Sequence, residues 1–455
     1  MKRERLTFLQ EWHKSSARKP LVMRGARQVG KTWLVRHFAE IENLTLLEIN
    51  FEHHPAFATL FSSNDPSEIL LLLEARFNRS INPKQSLLFL DEIQVFPELL
   101  AKLRWFAEEM PELALIATGS LLEFVLKQHT FSMPVGRITY MHLEPLSFDE
   151  FLIAQGQTSI VQYLDAYTLN KAVPPVIHEK LMQFMKEYMI VGGLPAAVIA
   201  WAEHRSPSDI HQVHTNLLAT YRDDFAKYRE QIPIERLEEV LVSVPRQLSK
   251  RFIYRNANSE VSSESVKKAF SLISQAKICH PIKSTAANGI PLGAEVNDKF
   301  FKSLFIDVGL CSSALGLALH QLVALDELVL VNNGAIAEQI VGQALRLLFP
   351  AYQEPCLYYW QREQKGSDAE IDYILQHETK VIPIEVKAGS AGSLKSLHLF
   401  MGLKEYSLAV RINSNTPSVS KIDVVNSLKN PVTYTLLSIP MYMISRLHKL
   451  IDMVE

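Results

Sequence analysis

The sequence has little of what marks secreted or membrane proteins. Its 455 residues include three cysteines, which lie far apart and form no C-x-x-C pair. This scarcity argues against a disulfide framework or a zinc site, and it fits a reducing compartment. No apolar run reaches about 18 residues, and none follows the basic first residues, so we expect neither a membrane span nor a secretory leader. We therefore expect a cytoplasmic protein with no membrane partner.

An excess of either charge is also absent. The formal net charge is −2, so contact with nucleic acid would require local basic patches. Apolar residues, in contrast, make up 47% of the chain against 21% charged residues, which permits large cores and excludes general disorder. The length suggests roughly two to four domains.

The segment with the most specific chemistry is G-A-R-Q-V-G-K-T at 25–32, which matches the phosphate-binding pattern G-x-x-x-x-G-K-[ST] in full. An apolar run precedes it and a helical pattern follows it, which is the context that the motif requires. The N–H groups of such a loop wrap phosphate oxygens, and the helix N-terminus adds partial positive charge. We predict that Lys31 reaches the β- and γ-phosphates of ATP and that Thr32 binds Mg²⁺; the alternative is a glycine turn before an ordinary helix. The predicted nucleotide-binding residues are Gly25, Ala26, Arg27, Gln28, Val29, Gly30, Lys31, Thr32 and Trp33.

Two acids end one of the predicted strands. Short apolar runs at 44–49, 86–90 and 113–117 alternate with helical patterns, which predicts a parallel sheet covered by helices on both faces. Because ligands bind beyond the carboxyl ends of such strands, Asp91 is placed to hold Mg²⁺ and Glu92 to orient the attacking water. The alternative is that both acids belong to a solvated turn.

Two further residues are candidates for contact with the γ-phosphate. Ser120 follows a predicted strand, where its hydroxyl would contact the γ-phosphate or the attacking water, or would cap the next helix. Arg137 precedes a predicted fifth strand at 138–143 and would act as an arginine finger in its own or a neighbouring subunit, or would form a surface salt bridge. A finger in a neighbouring subunit would require a homo-oligomer.

The middle of the chain is predicted to be mainly helical. The glycine pair before Pro195 suggests a bend. The charged and aromatic residues at 221–225 are either a solvated helix face or a contact with the N-terminal domain. Beyond them, a capped helix and a turn are typical of a winged helix, a module that contacts DNA or packs against protein. The basic residues that would contact DNA phosphates are Arg246, Lys250, Arg251 and Arg255.

Acids and a lysine recur on two predicted strands near the C-terminus. Side chains alternate along a strand, so Glu370 and Asp372 share a face of the first strand, and Glu385 and Lys387 share a face of the second. Buried acids need a partner, and a divalent cation, Mg²⁺ or Mn²⁺, bound by Asp372 and Glu385 would supply one. Lys387 would then position water or stabilise developing charge. The alternative is a half-exposed hairpin with solvated charges.

Taken together, these segments resemble a large prokaryotic group of AAA-type ATPases with a C-terminal domain of unknown function that is similar to PD-(D/E)xK nucleases. Beyond the phosphate loop, the resemblance rests on L-D-E-I-Q at 90–94, T-G-S at 118–120, L-E-P-L-S-F-D-E-F at 143–151 and G-G-L-P at 192–195. It implies an α/β fold, with a P-loop NTPase parallel sheet, a helical lid, a winged helix and a restriction-endonuclease-like α/β domain. The corresponding boundaries are 1–150, 151–245, 246–320 and 321–455.

The resemblance adds one predicted site residue, and one residue typical of AAA ATPases is not found. Glu338, on a predicted amphipathic helix, matches the helix acid of the nuclease pattern and would join Asp372 and Glu385 at the metal. The predicted lid has no convincing second sensor arginine, so the readout of the ATP state is open. One predicted function is Mg²⁺-dependent ATP hydrolysis coupled to DNA handling, with Glu385 and Lys387 catalytic in DNA cleavage. The other is an ATP-driven regulatory switch whose C-terminal domain binds DNA or a protein partner without catalysis.

Overall fold

The computed structural model describes residues 1–119, 134, 136–316, 333–362, 369–389 and 393–454. Ser120 and the helix that it was predicted to cap lie outside these ranges. Among the described helices, none is both long and apolar enough to cross a membrane.

The N-terminal unit is built on a parallel sheet. Its strands, within the described residues, are β1 (Leu21–Arg24), β2 (Thr45–Asn50), β3 (Ser86–Asp91), β4 (Ala114–Thr118) and β5 (Thr139–His142). Their spatial order is β2-β3-β4-β1-β5, so β4 separates the strand before the phosphate loop from the strand that ends in the acids. All positions of β3 are buried. This burial explains its continuous apolar run, as expected for a strand covered on both faces.

Helices cover both faces of this sheet. They are α1 (Arg5–Lys14), α2 (Lys31–Ile41), α3 (Pro66–Phe77) and α4 (Leu99–Glu109). Leu87 and Phe89 of β3 pack into the same core as Phe38 of α2, whereas Leu88 and Leu90 pack into the core on the opposite face. The alternation of strand side chains thus divides one apolar run between two cores.

The middle of the chain is helical, as predicted. Its helices are α5 (Phe148–Ala154), α6 (Thr158–Asp165), α7 (Pro175–Val191), α8 (Pro195–His204), α9 (Pro207–Asp224), α10 (Ile234–Arg246) and α11 (Ser263–Gln275). Helix α5 begins at a capping box, in which Ser147 accepts a hydrogen bond from the Glu150 N–H and the Glu150 carboxylate accepts one from the Ser147 N–H.

A second, mixed sheet fills the C-terminal half. Its strands, in the described part of the chain, are β6 (Cys279–Thr285), β7 (Val296–Phe305), β8 (Leu357–Gln361), β9 (Glu370–His377), β10 (Lys380–Val386), β11 (Leu408–Asn413), β12 (Ser418–Val425) and β13 (Pro431–Pro440). Their spatial order is β12-β13-β11-β10-β9-β8-β6-β7. Strand β6 pairs with β8, so the hairpin in the segment predicted as a wing extends the sheet of the segment that follows it.

Four further α-helices are described in the C-terminal half. They are α12 (Val308–Ala314), α13 (Asn333–Leu347), α14 (Lys395–Lys404) and α15 (Leu447–Asp452). Helix α13 contacts both β7 and β10. One continuous hydrophobic core runs from Leu9 of α1, through Trp201 of α8, to Ile451 of α15. The ATP-site candidates and the C-terminal acids therefore belong to one packed body.

Candidate nucleotide site

The phosphate loop curls around the amino group of Lys31. Gly30, directly before α2, has a φ of 93°, a conformation that favours glycine. The buried Lys31 Nζ donates to the carbonyl oxygens of Gly25 at 3.1 Å and Ala26 at 2.8 Å. Burial lowers the pKa of Lys31 to about 8, although Glu92 and Asp91 oppose the shift. A cationic group therefore lies inside the loop, with N–H groups at the start of α2 beside it.

Asp91 is the centre of the polar contacts beside the loop. Thr32 Oγ1 donates to Asp91 Oδ2 at 3.0 Å, and the hydroxyl of Thr118 donates to Asp91 Oδ1. Asn50 Nδ2 lies 3.4 Å from Asp91 Oδ2. Burial raises the pKa of Asp91, and neighbouring Glu92 adds to the rise, while the hydroxyls of Thr118 and Thr32 oppose it. A hydroxyl and a carboxylate in direct contact are the oxygen donors that hold Mg²⁺ in nucleotide sites.

Glu92 has a backbone conformation that is uncommon for its residue type. Its φ is 53°, in the left-handed region, and such outliers cluster at functional sites. Gln94 Nε2 donates to Glu92 Oε2 at 2.5 Å and so fixes the carboxylate. The acid that follows Asp91 is therefore held in place by its own turn.

Three residues of this site were not predicted. They are Asn50, Thr118 and Gln94. Asn50 and Thr118 end strands β2 and β4, so the rule that ligand sites lie beyond the carboxyl ends of parallel strands would have found both. Gln94 lies in a short turn after β3, and no sequence signal points to its bond with Glu92.

The end of α9 lies against the phosphate loop. Arg27 Nη1 contacts Asp224 Oδ1 at 2.5 Å, and the Tyr221 hydroxyl donates to the Arg27 carbonyl oxygen at 3.0 Å. Lys227 lies 3.2 Å from Asp224 and 3.6 Å from Glu52, which follows β2. Of the two interpretations of 221–225, the structure shows the contact with the N-terminal domain through Tyr221 and Asp224, while Arg222 and Asp223 between them are exposed.

The glycine pair before α8 forms a packed joint beside the same loop. The Gly193 carbonyl oxygen accepts from the Leu146 N–H at 2.6 Å, and the Gly193 N–H donates to Asp307 Oδ2 at 2.6 Å. A Cβ built on Gly30 would lie 3.4 Å from Pro195 Cγ. The predicted bend thus places the start of α8 directly against the phosphate loop.

Arg137 is held by a neighbour in its own chain. Its Nε donates to Glu108 Oε1 of α4 at 2.7 Å, with half of the arginine side chain exposed. The hydrogen bond from Arg137 lowers the pKa of Glu108. The structure therefore contains the surface salt bridge, whereas a role as an arginine finger stays a prediction.

The C-terminal acids gather around a lysine that was not predicted. Lys302 of β7 is buried, and its Nζ lies 3.2 Å from Glu338 Oε2 and 3.8 Å from Asp372 Oδ1. It also forms an ion pair with Glu370. Burial alone would lower the pKa of Lys302, but the three acids outweigh it and raise this pKa well above its usual value.

Glu385 and Lys387 lie beside this cluster. Lys387 Nζ donates to Glu385 Oε1 at 2.6 Å, and the Val386 N–H donates to Asp372 Oδ2 at 2.8 Å. Burial, with Asp372 nearby, raises the pKa of Glu385 to about 7, and burial raises that of Glu338 to about 8. The predicted residues are thus brought together, but within the described residues no group of His, Cys, Asp or Glu is arranged to hold a metal ion. Lys302 lies where such an ion would neutralise the acids.

Three segments of the chain match models of known protein families. Residues 17–152 match a family model described as an AAA domain. Residues 182–321 match a domain of unknown function (DUF8612), and residues 333–430 match another (DUF4143). No curated protein matches the chain.

Two solved structures show weak similarity. One is the Walker-type ATPase PABY2304 of Pyrococcus abyssi, with 15% identity, a TM-score of 0.44, and coverage of 69% of this chain and 95% of that one. The other is the Pif1 helicase from Candida albicans, with 15% identity, a TM-score of 0.23, and coverage of 40% and 47%. We draw no conclusion from likenesses this distant.

The parallel sheet, the phosphate loop and the acids at the end of β3 define a P-loop nucleotide-binding domain. The family match narrows this class to the AAA type and supports an ATPase. The matches to the middle and C-terminal segments carry no activity, and neither of them supports a nuclease.

Proposed function

We propose that this protein is a Mg²⁺-dependent ATP hydrolase that acts as a switch, passing its nucleotide state to the helices that touch the phosphate loop. The observation that carries the proposal is the contact of Thr32 with Asp91 at 3.0 Å, directly beside the loop that surrounds Lys31. A lysine, a hydroxyl and a carboxylate thereby converge on one position at the carboxyl edge of the sheet.

Each of these groups has a role in phosphoryl transfer. Lys31 binds the β- and γ-phosphates, and its charge offsets the charge that develops on the transferred group. Thr32 and Asp91 hold Mg²⁺, directly or through water. Glu92, fixed by Gln94, orients and polarises the attacking water.

The switch proposal rests on the contacts behind the loop. Arg27 lies within the loop itself and pairs with Asp224 at the end of α9, so a shift of the loop on binding phosphates pulls on that helix. Pro195 at the start of α8 lies beside Gly30 of the same loop, where a Cβ added at Gly30 would meet its ring. These contacts supply a readout of the nucleotide state that does not need a second sensor arginine.

DNA is the partner that we propose for the switch. The side chains of Arg246, Lys250, Arg251 and Arg255 are all exposed. Arg246 ends α10, and the other three lie between α10 and α11. Exposed basic residues contact phosphates without distinguishing bases, so such binding is expected to be insensitive to sequence and to weaken with salt. In this proposal the C-terminal domain is a binding module without catalysis.

The second candidate function is metal-dependent DNA cleavage. It is favoured by the convergence of Asp372, Glu385 and Lys387, and by Glu385 Oε2, which is buried without a hydrogen-bond partner. Its test is cutting of DNA in Mg²⁺ or Mn²⁺ by the intact protein, abolished by Lys387→Ala.

The ATPase proposal is tested by steady-state ATP hydrolysis with excess Mg²⁺. We expect Lys31→Ala and Glu92→Gln each to reduce the turnover rate by about 100-fold or more, since each removes a group that acts in the transition state. Glu92→Gln should still bind ATP, because Glu92 acts on water and not on the phosphates.

The matched control is Lys84→Ala, which removes an exposed lysine outside the site and should leave hydrolysis unchanged. Hydrolysis that persists in both site variants at the wild-type rate would refute the proposal.

A further inference from the structure

Lys302 has an unusual position for a lysine. It lies on β7, its side chain is 1% exposed, and its amino group faces acids from α13 and β9. Its Nζ also lies 5.4 Å from the centre of the Tyr359 ring. Lysine is rarely buried to this extent unless it is paired. Two of its partners here, Glu338 and Asp372, are acids predicted to bind a metal.

The strand that carries Lys302 is fixed on both sides. Lys302 pairs in register with Ile282 of β6, and it forms an isolated bridge with Arg251. The next two residues, Ser303 and Leu304, are buried as well. Strand β7 thus holds the Lys302 amino group in place, and the group cannot move away from the acids without a large local rearrangement.

The position of Lys302 conflicts with a resident metal ion. A divalent cation requires several oxygen ligands at about 2.0–2.6 Å. Glu338, Glu370 and Asp372 already direct oxygens at the ammonium group, and an added cation would meet its positive charge at close range. The acids therefore have a counter-charge built into the chain.

We propose that Lys302 is a tethered cation that replaces a divalent metal, so that Glu338, Glu370 and Asp372 form a structural cluster around it in which no metal binds. Glu385 lies beside this cluster and is paired with Lys387. Removal of the Lys302 amino group converts this cluster into a divalent-cation site. This inference is independent of ATP hydrolysis, because Lys302 does not touch the phosphate loop.

The test is Mn²⁺ binding to the metal-stripped full-length protein, followed through the electron paramagnetic resonance signal of free Mn²⁺. We expect Lys302→Met to bind one more Mn²⁺ per chain than wild type. The affinity of these acids for Mn²⁺ should be at least tenfold higher in Lys302→Met than in wild type. Adding Asp372→Asn to Lys302→Met should remove the extra ion. Lys299→Met, an exposed lysine on the same strand, is the matched control and should behave as wild type.

A second comparison does not depend on folding of the Lys302 variant. Wild type and Asp372→Asn should bind the same number of Mn²⁺ ions with the same affinity, because the proposal leaves Asp372 without a metal. Loss of one bound ion in Asp372→Asn would overturn the inference, as would a Lys302→Met protein that folds and gains no ion. DNA cutting by wild type in Mn²⁺ that disappears in Lys387→Ala would also overturn it.

Discussion

At the scale of single residues, Lys31 shows how one side chain is tuned by its surroundings. It is buried within the loop, and its hydrogen bonds go to the carbonyl oxygens of Gly25 and Ala26. Burial disfavours the charged amino group, which is why its pKa is lowered to about 8. ATP phosphates favour the charged form, so binding and protonation are linked.

This linkage predicts a pH dependence of ATP binding. Only the charged amino group binds phosphates well, and the free protein loses that charge as the pH rises through about 8. The apparent affinity for Mg-ATP should therefore change little below about pH 7, decline as the pH rises through about 8, and fall by up to about tenfold per pH unit above that. Titration calorimetry between pH 7.5 and 9.5 measures this slope.

Lys31→Arg is the matched control for that slope. Its guanidinium stays charged throughout this range, so its binding should be weaker overall but independent of pH. If the affinity for Mg-ATP fell equally with pH in both proteins, a group other than Lys31 would be responsible for the pH dependence.

At the scale of elements, the joint formed by residues 192–195 depends on close backbone approach. A Cβ built on Gly193 would lie 2.2 Å from the carbonyl oxygen of Leu146. This contact is with backbone, which cannot rotate away as a side chain can. The turn before α8 therefore requires glycine at position 193.

We predict that Gly193→Ala lowers the free energy of unfolding by about 1–3 kcal/mol, the usual cost of forcing extra atoms into a packed site. Urea unfolding followed by circular dichroism measures the change. Gly289→Ala is the control, since a Cβ at Gly289 has no atom within 4 Å. Equal stability of the two variants would show that the joint relaxes freely.

The strands also show which sequence signals are sufficient to predict an element. The apolar runs at 44–49, 86–90 and 113–117 predicted β2, β3 and β4 to within one residue at each end. Strands β3 and β4 are buried at every position, so their runs are apolar throughout and their limits are clear. Strand β2 lies at the sheet edge and is only partly buried, and its run contains Thr45 and Glu48. The hairpin of β6 and β7 was predicted as a wing, and its pairing with β8 was missed. Pairing between distant strands leaves no local pattern to detect.

At the scale of the whole molecule, a buried ion pair joins the two halves. Arg346 of α13 contacts Glu144 through Nε at 3.0 Å and Nη2 at 2.8 Å, and Glu144 belongs to the segment after β5. Burial alone would raise the pKa of Glu144, but Arg346 lowers it to about 2. Glu144, in the L-E-P motif of the sequence, thereby anchors the C-terminal unit to the N-terminal domain.

The pair should make stability depend on acid pH. A carboxyl whose pKa falls from 4.5 unfolded to about 2 folded contributes about 3 kcal/mol of stability above pH 4.5. That contribution is lost as the pH falls, by roughly 1 kcal/mol at pH 3.5 and completely below about pH 2. Glu144→Gln should therefore lower the free energy of unfolding by about 3 kcal/mol at pH 7, and by less at pH 3.5.

Urea unfolding at the two pH values measures this difference. Glu48→Gln, which breaks the exposed pair with Arg36, is the control and should cost less than about 1 kcal/mol at both. A Glu144→Gln penalty that stays constant down to pH 3.5 would contradict the assigned pKa.

The sequence by itself determined the phosphate loop, the acids Asp91 and Glu92, and the α/β order of the first domain. These features are local, since a glycine loop, a strand and a helix start are set by neighbours in the chain. Only the tertiary structure decided that Asp224 pairs with Arg27, that Arg346 pairs with Glu144, and that Lys302 lies among the C-terminal acids. Each of these pairs joins residues from different elements, and whether a buried charge is balanced by a metal or by a lysine depends on which strand packs beside it.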